Sequence, residues 1–405
     1  MNNLAGTNLR VMSGMRPTGA LHLGHYHGVL KNWLKLQHEY QCFFSVADWH
    51  ALTTHYEDPQ DIQKNVWDMV IDWLAVGINP NQATLLIQSK VPEIAELNLL
   101  LSMVAPVGWL ERVPTYKEQK EKLKDRDLST YGFLGYPVLQ TADILVFNAD
   151  LVPVGEDQVP HIEMSRELAR RFNHVFGSEP GFKEKAEGAI RKLGAQNGKL
   201  YVELRRRYTE QGDDEAREQA RNMLLNNQNI TKGDRERLLG YLAGSGRTVL
   251  HEPQVLLTET PKVVGLDGQK MSKSYGNTIA LREEPEVIEK KMRTMPTDPA
   301  RVRRTDPGNP EKCPVWDFHK VYSDDETKKW VWEGCTTAGI GCIECKMSVV
   351  KRVQDSLAPV RERAKEYESN PDLVRSIMSD GSEAARAVAK ETLEEVRQAI
   401  GINYR

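Results

Sequence analysis

Several features that would assign this chain to a membrane, secreted or fibrous protein are missing. No apolar run approaches the roughly 18 residues that a membrane-spanning helix needs. The opening residues, Met-Asn-Asn-Leu-Ala-Gly, lack the basic and apolar regions of a secretory signal peptide. The chain also has no internal repeat and no low-complexity segment. These absences predict a globular cytoplasmic protein without a membrane partner.

Cysteine is scarce, with five residues in a chain of 405. Cys42 lies in an apolar run that predicts a strand, so we expect it in the core. The other four lie close together in the sequence: Cys313, Cys335, Cys342 and Cys345. In a cytosolic chain, such a cluster with a Cys-x2-Cys end favours a metal site over disulfides. Four thiolates suit either zinc or a 4Fe–4S cluster, and the spacing alone leaves both open.

A strong excess of charge of one sign is also lacking, because the formal net charge is only −3. This value does not indicate a nucleic-acid binder, although basic clusters occur at residues 205–207, 301–304 and 346–352. Such clusters are usually solvated helix faces. The 40% hydrophobic and 27% charged content is typical of a globular protein, and the length predicts two or three domains.

The first part of the chain alternates predicted strands and helices. Apolar runs predict strands at residues 9–13, 42–47, 84–88, 144–147 and 151–154. Helical spacing predicts helices at 23–39 and 59–76, and Gly77 ends the second. This alternation is typical of an α/β fold with a parallel sheet, in which ligands bind at the carboxyl ends of the strands.

The later part changes character. Residues 182–252 are rich in Arg, Glu, Gln and Asn and predict a helical insertion, after which 253–264 return to the first domain. Residues 296–405 are mostly helical, with predicted breaks at 370–371 and 381–382 and an end at Gly401. We therefore predict a first domain at 1–181 and 253–295, an insertion at 182–252, and a C-terminal domain at 296–405.

Two short segments indicate the chemistry. GALHLGH, at residues 19–25, places His22 and His25 where a predicted strand meets a helix, and KMSKS, at 270–274, places Lys270 and Lys273 on a glycine-flanked loop. Attack on the α-phosphate of ATP needs donors that face the developing charge and cations that follow the departing pyrophosphate. Either segment alone is a weak signal, but both together in this order are specific.

These segments resemble the HIGH and KMSKS motifs of class I aminoacyl-tRNA synthetases. Further segments make the chain resemble the tryptophanyl-tRNA synthetases over nearly its whole length except 182–252: SGMRPTGALHLGHYHG (13–28), ADWHALT (47–53), YPVLQTADILVFNADLVPVGEDQVPHIE (136–163), GLDGQKMSKSYGNTI (265–279) and CPVWDFH (313–319). The resemblance implies a Rossmann-like catalytic domain followed by an all-helical anticodon-binding domain.

The resemblance also implies an activity. Members of this family activate L-tryptophan with ATP and Mg²⁺ and transfer it to the 2′-hydroxyl of tRNA(Trp), and they are homodimers. Two alternatives stay open: a catalytically inactive paralogue that binds tRNA or tryptophan in regulation, and a tyrosyl-tRNA synthetase or another class I adenylating enzyme.

Roles for individual residues follow from the resemblance. His22, His25, Lys270 and Lys273 would stabilise the phosphates of ATP in the transition state, and Lys117 resembles a further phosphate-binding lysine. The predicted ATP-binding residues are Arg16, Thr18, Gly19, Gly24, His25, Gly155, Asp157, Gln158, Lys270, Met271, Ser272, Lys273 and Ser274.

Asp143 is the residue that we expect to select the amino acid. The indole nitrogen is only a donor, so a buried reader must supply an acceptor. The predicted tryptophan-binding residues are Met12, His50, Tyr136, Gln140, Asp143, Val152 and Val154. Gln140 departs from the methionine common in the family and resembles the tyrosyl enzymes, which makes tyrosine the substrate to exclude.

The resemblance favours iron–sulfur over zinc at Cys313, Cys335, Cys342 and Cys345, because a subset of the family carries a 4Fe–4S cluster with similar spacing. That cluster would lie near the anticodon and away from the adenylation chemistry. Trp330, Trp332 and Lys346 flank the cysteines and are candidates for contact with RNA, although such tryptophans more often pack a small core.

Overall fold

The computed structural model describes residues 9–113, 129–257 and 263–404. Its centre is a sheet of five parallel strands in the order β3-β2-β1-β4-β5. The strands are β1 (Arg10–Met15), β2 (Gln41–Val46), β3 (Ala83–Ile87), β4 (Leu151–Val154) and β5 (Gln254–Leu257). No helix in the described part of the chain is long and apolar enough to cross a membrane.

The helices of the described residues pack partly on the faces and one edge of this sheet and partly in separate clusters. They are α1 (Leu23–His25), α2 (Lys31–Leu36), α3 (Asp48–His55), α4 (Ile62–Val76), α5 (Glu93–Ser102), α6 (Val107–Leu110), α7 (Tyr131–Leu145), α8 (Val159–Phe176), α9 (Phe182–Lys192), α10 (Ala195–Gln211), α11 (Asp214–Asn226), α12 (Lys232–Ala243), α13 (Pro285–Arg293), α14 (Pro314–Tyr322), α15 (Asp325–Thr336), α16 (Cys342–Ser369) and α17 (Pro371–Ile400).

The strand order confirms the predicted α/β fold and locates its ligand crevice. The chain builds β1, β2 and β3 toward one edge, and β4 and β5 then pair on the other side of β1. A parallel sheet opens a crevice at the carboxyl ends of its strands where the order reverses. In this molecule that point lies between β1 and β4, which are neighbours at Val11 and Leu151.

The predicted helix at 23–39 is divided by an unusual turn. A π-helix at Tyr26–Leu30 separates α1 from α2. π-helical turns widen the backbone locally and occur frequently at functional sites. The next predicted helix begins at Ile62, later than expected, and ends at Val76. Gly77 follows it, and its φ of 110° gives the left-handed cap that glycine favours.

The strand predicted at residues 144–147 is wrong. Ile144 and Leu145 end helix α7, and Val146 and Phe147 continue into the turn that follows. All four side chains are buried. A short apolar run buried on every side has no periodicity that separates a strand from a helix, which is why the pattern was ambiguous.

The helix break predicted at residues 381–382 is also wrong, because α17 runs unbroken through both residues. Gly381 lies against β3, and a Cβ atom built there would be 2.0 Å from the carbonyl oxygen of Leu85. Ser382 Oγ accepts a hydrogen bond of 3.2 Å from the backbone N–H of Ile87. The small residues therefore let α17 cover the exposed edge of the sheet, which would otherwise offer unpaired backbone groups.

The region predicted as an insertion has a hydrophobic core of its own, built from α9 to α12 around the buried Tyr201 and Leu204. The chain enters and leaves this region at one point, where Arg247 N–H donates a 2.8 Å hydrogen bond to the carbonyl oxygen of Gly177. Gly246 packs so closely on Gly177 that a Cβ at Gly246 would lie 2.0 Å from the same oxygen. We call this crossing point, formed by Gly177, Gly246 and Arg247, the neck.

Candidate active site

A cavity of about 390 Å³ lies at the carboxyl ends of β1 and β4, where the strand order predicts a ligand. It is lined by every residue that was predicted to bind tryptophan: Met12, His50, Tyr136, Gln140, Asp143, Val152 and Val154. Three residues predicted to bind ATP, Arg16, Gly155 and Gln158, line the same cavity. The fold thus brings together residues that are more than 140 positions apart in the sequence.

Asp143 is held by two neighbours at the wall of this cavity. His50 Nε2 lies 2.9 Å from Asp143 Oδ2, and Gln88 Nε2 donates to both carboxylate oxygens at 2.8 and 2.9 Å. Asp143 is only 6% exposed. An ionised carboxylate offers about four acceptor positions, so these contacts orient the group and leave it able to accept one further donor.

Gln88 is a site residue that the sequence analysis did not identify. It follows β3 and is fully buried, and its Oε1 accepts hydrogen bonds from the backbone N–H groups of Trp49 and His50 at 3.1 and 3.4 Å. One amide side chain therefore joins the start of α3 to Asp143. Its position as the last residue of the strand predicted at 84–88 was the available signal, because side chains at the carboxyl end of a parallel strand lie at the ligand edge of the sheet.

Other residues that line the cavity had no role assigned from the sequence, although several of them lie in the quoted motif segments. They are Ser13, Gly14, Gly28, Val29, Asn32, Trp33, Ser45, Ala47, Thr53, Phe133, Ile144, Pro153 and His161. Gly28 and Val29 belong to the π-helix, so the wide turn brings the start of the first helical segment to the cavity wall.

The two histidines of the first motif have fixed tautomers. His22 Nδ1 accepts a 3.2 Å hydrogen bond from the backbone N–H of Gly24, and His25 Nδ1 accepts one of 3.2 Å from the backbone N–H of His22. Burial, together with the charge of Lys273, lowers the pKa of His22 to about 4. Burial, His22 and Lys273 lower the pKa of His25 to about 3. Both rings are therefore neutral at pH 7, with the proton on Nε2.

The second motif lies directly against the first. The Nζ of Lys273 is 3.4 Å from the point where a Cβ of Gly19 would be, and Met271 contacts Gly24 in the same way. Burial lowers the pKa of Lys273 to about 8, although the charge of Asp72 opposes that shift. Asn277 supports the loop, because its Oδ1 accepts from Ser272 N–H at 2.8 Å and its Nδ2 donates to the carbonyl of Lys270 at 3.2 Å.

The remaining predicted residues take different positions. His22, His25, Thr18, Gly19 and Gly24 lie beside the cavity rather than in its wall, together with the 270–274 loop. Lys270 is exposed, and Asp157 is an exposed carboxylate that accepts a 3.0 Å hydrogen bond from Gln158 Nε2. Lys117 lies outside the described residues.

The four clustered cysteines come together around α14, α15 and the start of α16. Burial, together with the three neighbouring thiols, raises the pKa of Cys345 to about 12. Arg301 Nη1 lies 3.9 Å from Cys335 Sγ, and His319 Nε2 lies 3.4 Å from Cys345 Sγ. As placed, no three His, Cys, Asp or Glu side chains in the described ranges form a group that would hold a single metal ion.

The residues that flank the cysteines differ in accessibility. Lys346 is only 5% exposed, and its Nζ donates to the carbonyl oxygens of Arg293 and Met295 at 2.8 and 2.6 Å. The expectation that Lys346 contacts RNA is therefore wrong, because its ammonium group ties α16 to the end of α13. Trp330 and Trp332 keep 38% and 41% of their surface exposed.

Comparison with known proteins gives consistent results. The family model described as tRNA synthetases class I (W and Y) matches residues 4–195 and 224–358, so the unmatched internal stretch falls in the predicted insertion. A tryptophan–tRNA ligase of Ralstonia nicotianae is 64% identical over 395 residues, covering 98% of this chain and 99% of that protein. The tryptophan–tRNA ligase of Thermotoga maritima is 44% identical over 398 residues, covering 98% of this chain and all of that protein.

Solved structures agree with these relatives. The tryptophanyl-tRNA synthetase of Campylobacter jejuni, complexed with ADP and tryptophan, superposes with a TM-score of 0.73 at 26% identity. The match covers 97% of this chain and all of that chain. A tyrosyl-tRNA synthetase of Archaeoglobus fulgidus, at 20% identity and a TM-score of 0.52, is similar in fold alone.

Proposed function

Because this chain belongs to the tryptophanyl-tRNA synthetases of class I, we propose that it is a tryptophan–tRNA ligase. It activates L-tryptophan with ATP to tryptophanyl-adenylate and transfers the amino acid to the 2′-hydroxyl of tRNA(Trp). The observation that carries this proposal is the cavity with Asp143 in its wall beside the paired motifs. The alternatives of a tyrosyl enzyme and of an inactive paralogue are not favoured, because the relatives at 64% and 44% identity are tryptophan–tRNA ligases and the motif residues are all present.

The adenylation step depends on positioning and charge. The carboxylate oxygen of tryptophan attacks the α-phosphorus of ATP, and pyrophosphate leaves. The Nε2–H groups of His22 and His25 act as neutral donors to the phosphate oxygens, while Lys273 and Lys270 follow the negative charge onto pyrophosphate. Mg²⁺ accompanies the nucleotide, as is usual for phosphate substrates. Arg16, Gly155 and Gln158, which line the cavity, would hold the nucleotide beside the amino acid.

Asp143 provides the selection of tryptophan. Its carboxylate, oriented by His50 and Gln88, accepts the indole N–H as a further donor. Phenylalanine offers no such donor and leaves the carboxylate without its last partner, which a pocket built for a hydrogen bond rejects by a factor of about 10⁴–10⁵. Tyrosine carries its hydroxyl at a different position from the indole nitrogen. Because Gln140 resembles a residue of the tyrosyl enzymes, tyrosine is the competing substrate to test.

Exchange of labelled pyrophosphate into ATP tests this function. Purified protein is offered tryptophan, tyrosine and phenylalanine in parallel, and charging of tRNA(Trp) is measured separately. Exchange that depends on tryptophan alone, together with charging, is the expected result. Exchange with tyrosine would overturn the substrate assignment, and no exchange by folded protein would favour the regulatory paralogue.

The cysteine cluster is proposed to hold a 4Fe–4S cluster through Cys313, Cys335, Cys342 and Cys345, with zinc as the alternative. Support comes from the donor set, which consists of four soft thiolates with Arg301 Nη1 and His319 Nε2 close to two of the sulfurs. A single zinc ion requires all four sulfurs about 2.3 Å from one point, whereas the irons of a cluster bind thiolates that are further apart. When bound, the group would supply a covalent tie between α15 and α16.

Elemental analysis separates these possibilities. Protein purified without oxygen is assayed for iron, acid-labile sulfide and zinc, and the same assay is applied to a Cys342→Ser variant. Iron and sulfide in equal amounts, lost in the variant, are expected. Stoichiometric zinc would show that the site holds zinc and not an iron–sulfur cluster. The absence of both iron and zinc would refute the metal proposal.

Assembly and location complete the proposal. The protein is proposed to be a cytoplasmic homodimer that binds tRNA(Trp). Leu99 on α5, Met103 directly after α5 and Val107 at the start of α6 are 55%, 69% and 58% exposed, which is typical of a surface that packs against another protein. Light scattering of a Leu99→Lys, Met103→Lys variant should give the monomer mass if this surface joins two copies.

A further inference from the structure

The two motifs are joined by a short main-chain ladder. Leu23 N–H donates to the carbonyl of Ile279 at 3.0 Å, and Leu281 N–H donates to the carbonyl of Leu21 at 3.0 Å. His22 and Ala280 form an antiparallel bridge between these bonds. The segment after the second motif therefore lies directly on the first, and its position sets the distance between the histidines and the lysine loop.

One buried carboxylate holds both sides of this ladder. Asp72, in the last half of α4, is 1% exposed. Its Oδ2 accepts the backbone N–H of Leu21 at 3.2 Å, and its Oδ1 accepts Arg282 Nε at 2.7 Å. Leu21 lies at the start of the ladder in the first-motif segment, and Arg282 directly follows the ladder in the segment after the second motif. A side chain from the core of the domain thus fixes the two motif segments relative to each other.

Arg282 is saturated by further acidic partners. Its Nη2 lies 3.1 Å from Asp68 Oδ1, and its Nη1 makes a close ion pair with Glu368 at the end of α16. The Asp72 side chain is 2% exposed, whereas those of Asp68 and Glu368 are 32% and 46% exposed. Buried charge-assisted hydrogen bonds are strong and directional, whereas exposed ion pairs contribute little. The bond to Asp72 is therefore the one that defines the orientation of the guanidinium.

Asp72 also affects the protonation of Lys273 in the second motif. Burial raises the pKa of Asp72 to about 6, although Arg282 and Leu21 favour its ionised form. The negative charge of Asp72 in turn supports the protonated form of Lys273 against the effect of burial. Asp72 thus contacts the first motif and the segment after the second motif, and its charge also acts on Lys273.

We propose that Asp72 and Arg282 are positioning residues for adenylation, which hold the segment after the KMSKS loop in register with the HIGH segment. This inference rests on the proposed function. Neither residue lines the amino-acid cavity, so they act on the geometry of phosphate transfer and leave tryptophan binding to the cavity residues. A displacement of about 1 Å at such a site costs roughly 10²-fold in rate.

Asp72→Asn tests the proposal, because it keeps the shape and an acceptor but removes the charge. We expect kcat for tryptophan-dependent pyrophosphate exchange to fall about 10²-fold, with KM for tryptophan changed by less than about twofold. Arg282→Lys keeps a charge but loses the directed Nε bond and should give a similar fall in kcat. Active-site titration normalises the rates to folded enzyme, so reduced stability alone does not lower them.

Matched controls and a double variant complete the test. Asp68→Asn and Glu368→Gln each remove an exposed partner of Arg282 and should change kcat by less than about twofold. If Asp72 acts through the loop, Asp72→Asn should cost less in a Lys273→Ala background than in the wild type. Normal kcat per active site in Arg282→Lys, or equal losses with and without Lys273, would refute the proposal. Failure of wild-type exchange with tryptophan would instead refute the proposed function.

Discussion

At the scale of single residues, the main chain determines how the motif histidines can act. Because the backbone N–H groups of Gly24 and His22 occupy the two Nδ1 atoms, each neutral imidazole carries its proton on Nε2. The low pKa values keep both rings neutral, so they serve as hydrogen-bond donors without added charge. The sequence predicted that these histidines face phosphate, but their tautomers depend on backbone geometry that no residue pattern contains.

We expect His22→Ala and His25→Ala each to lower kcat for pyrophosphate exchange by about 10²–10³-fold, the usual cost of one donor to a developing oxyanion. His38→Ala is the matched control, since that exposed histidine follows α2 and should leave the rate unchanged. As the pKa values are lowered to about 4 and 3, protonation of these rings should not affect the wild-type rate between about pH 5 and 7. A rate loss centred near pH 6.5 that His22→Ala abolishes would contradict the assignment of neutral rings.

Unlike the two histidines, Lys273 should give the reaction a pH dependence in the accessible range. Burial lowers its pKa to about 8, so in the free enzyme the ammonium group loses its proton as the pH rises through that value. Because phosphate binding needs the cation, kcat/KM for ATP should fall above about pH 8, which steady-state exchange at low ATP measures. Lys273→Arg keeps its charge at all accessible pH values and should remove this falling limb. Persistence of the limb in that variant would assign it to another group.

Distant partners mark the limit of sequence analysis at this scale. Asp143 and the cavity residues on β1 and β4 could be found because motif context and strand ends identify them. Gln88 and Asp72 could not be assigned a role, since each acts through a residue more than 50 positions away. Only the packed fold brings such donors and acceptors into contact.

At the scale of elements, tertiary packing overrides local signals. The Gly381-Ser382 pair favours a helix break by propensity, yet α17 continues because those small residues allow it to lie against β3. Residues 144–147 have strand-like composition, yet they end a buried helix. In both cases packing against neighbouring elements decides the local structure. Because the local sequence does not contain that packing, element boundaries were the weakest predictions.

Gly381→Ala should therefore destabilise the protein, by about 1–3 kcal/mol, since the added methyl group meets the carbonyl of Leu85. Gly233→Ala is the matched control, because a Cβ there has open space in α12 and the gain in helix propensity is about 0.5–1 kcal/mol. Thermal unfolding of the full chain should show a lower Tm for the first variant and an equal or higher Tm for the second. Equal Tm values for Gly381→Ala and wild type would mean that α17 does not pack tightly on the sheet edge.

At the scale of the whole molecule, the alternation of strands and helices predicted the parallel sheet and the edge at which the cavity lies. It did not predict the strand order, which depends on how crossovers pack. It also did not predict that α16 and α17 share hydrophobic cores with the sheet, through residues such as Val353 and Ala389. The helices of the predicted C-terminal domain therefore cover α4 and the edge of β3.

The insertion allows the sharpest test at this scale. At the neck the two chain ends are adjacent, so residues 178–246 can be replaced by a short Gly-Ser link with little strain on either side. Among the described residues, none that lines the tryptophan cavity comes from that stretch. We therefore expect tryptophan-dependent pyrophosphate exchange to stay within about twofold of the full chain.

Charging of tRNA(Trp) by the same shortened protein decides what the insertion contributes. Its basic run at residues 205–207 suggested contact with RNA, yet Arg206 pairs with Glu203, Arg207 pairs with Asp213, and Arg205 lies over the ring of Tyr241. Because these charges already have partners within the insertion, we expect charging to be retained along with exchange. A selective loss of charging would show that the insertion contacts RNA despite these pairs, and a loss of exchange in folded protein would show that it supports the active site through the neck.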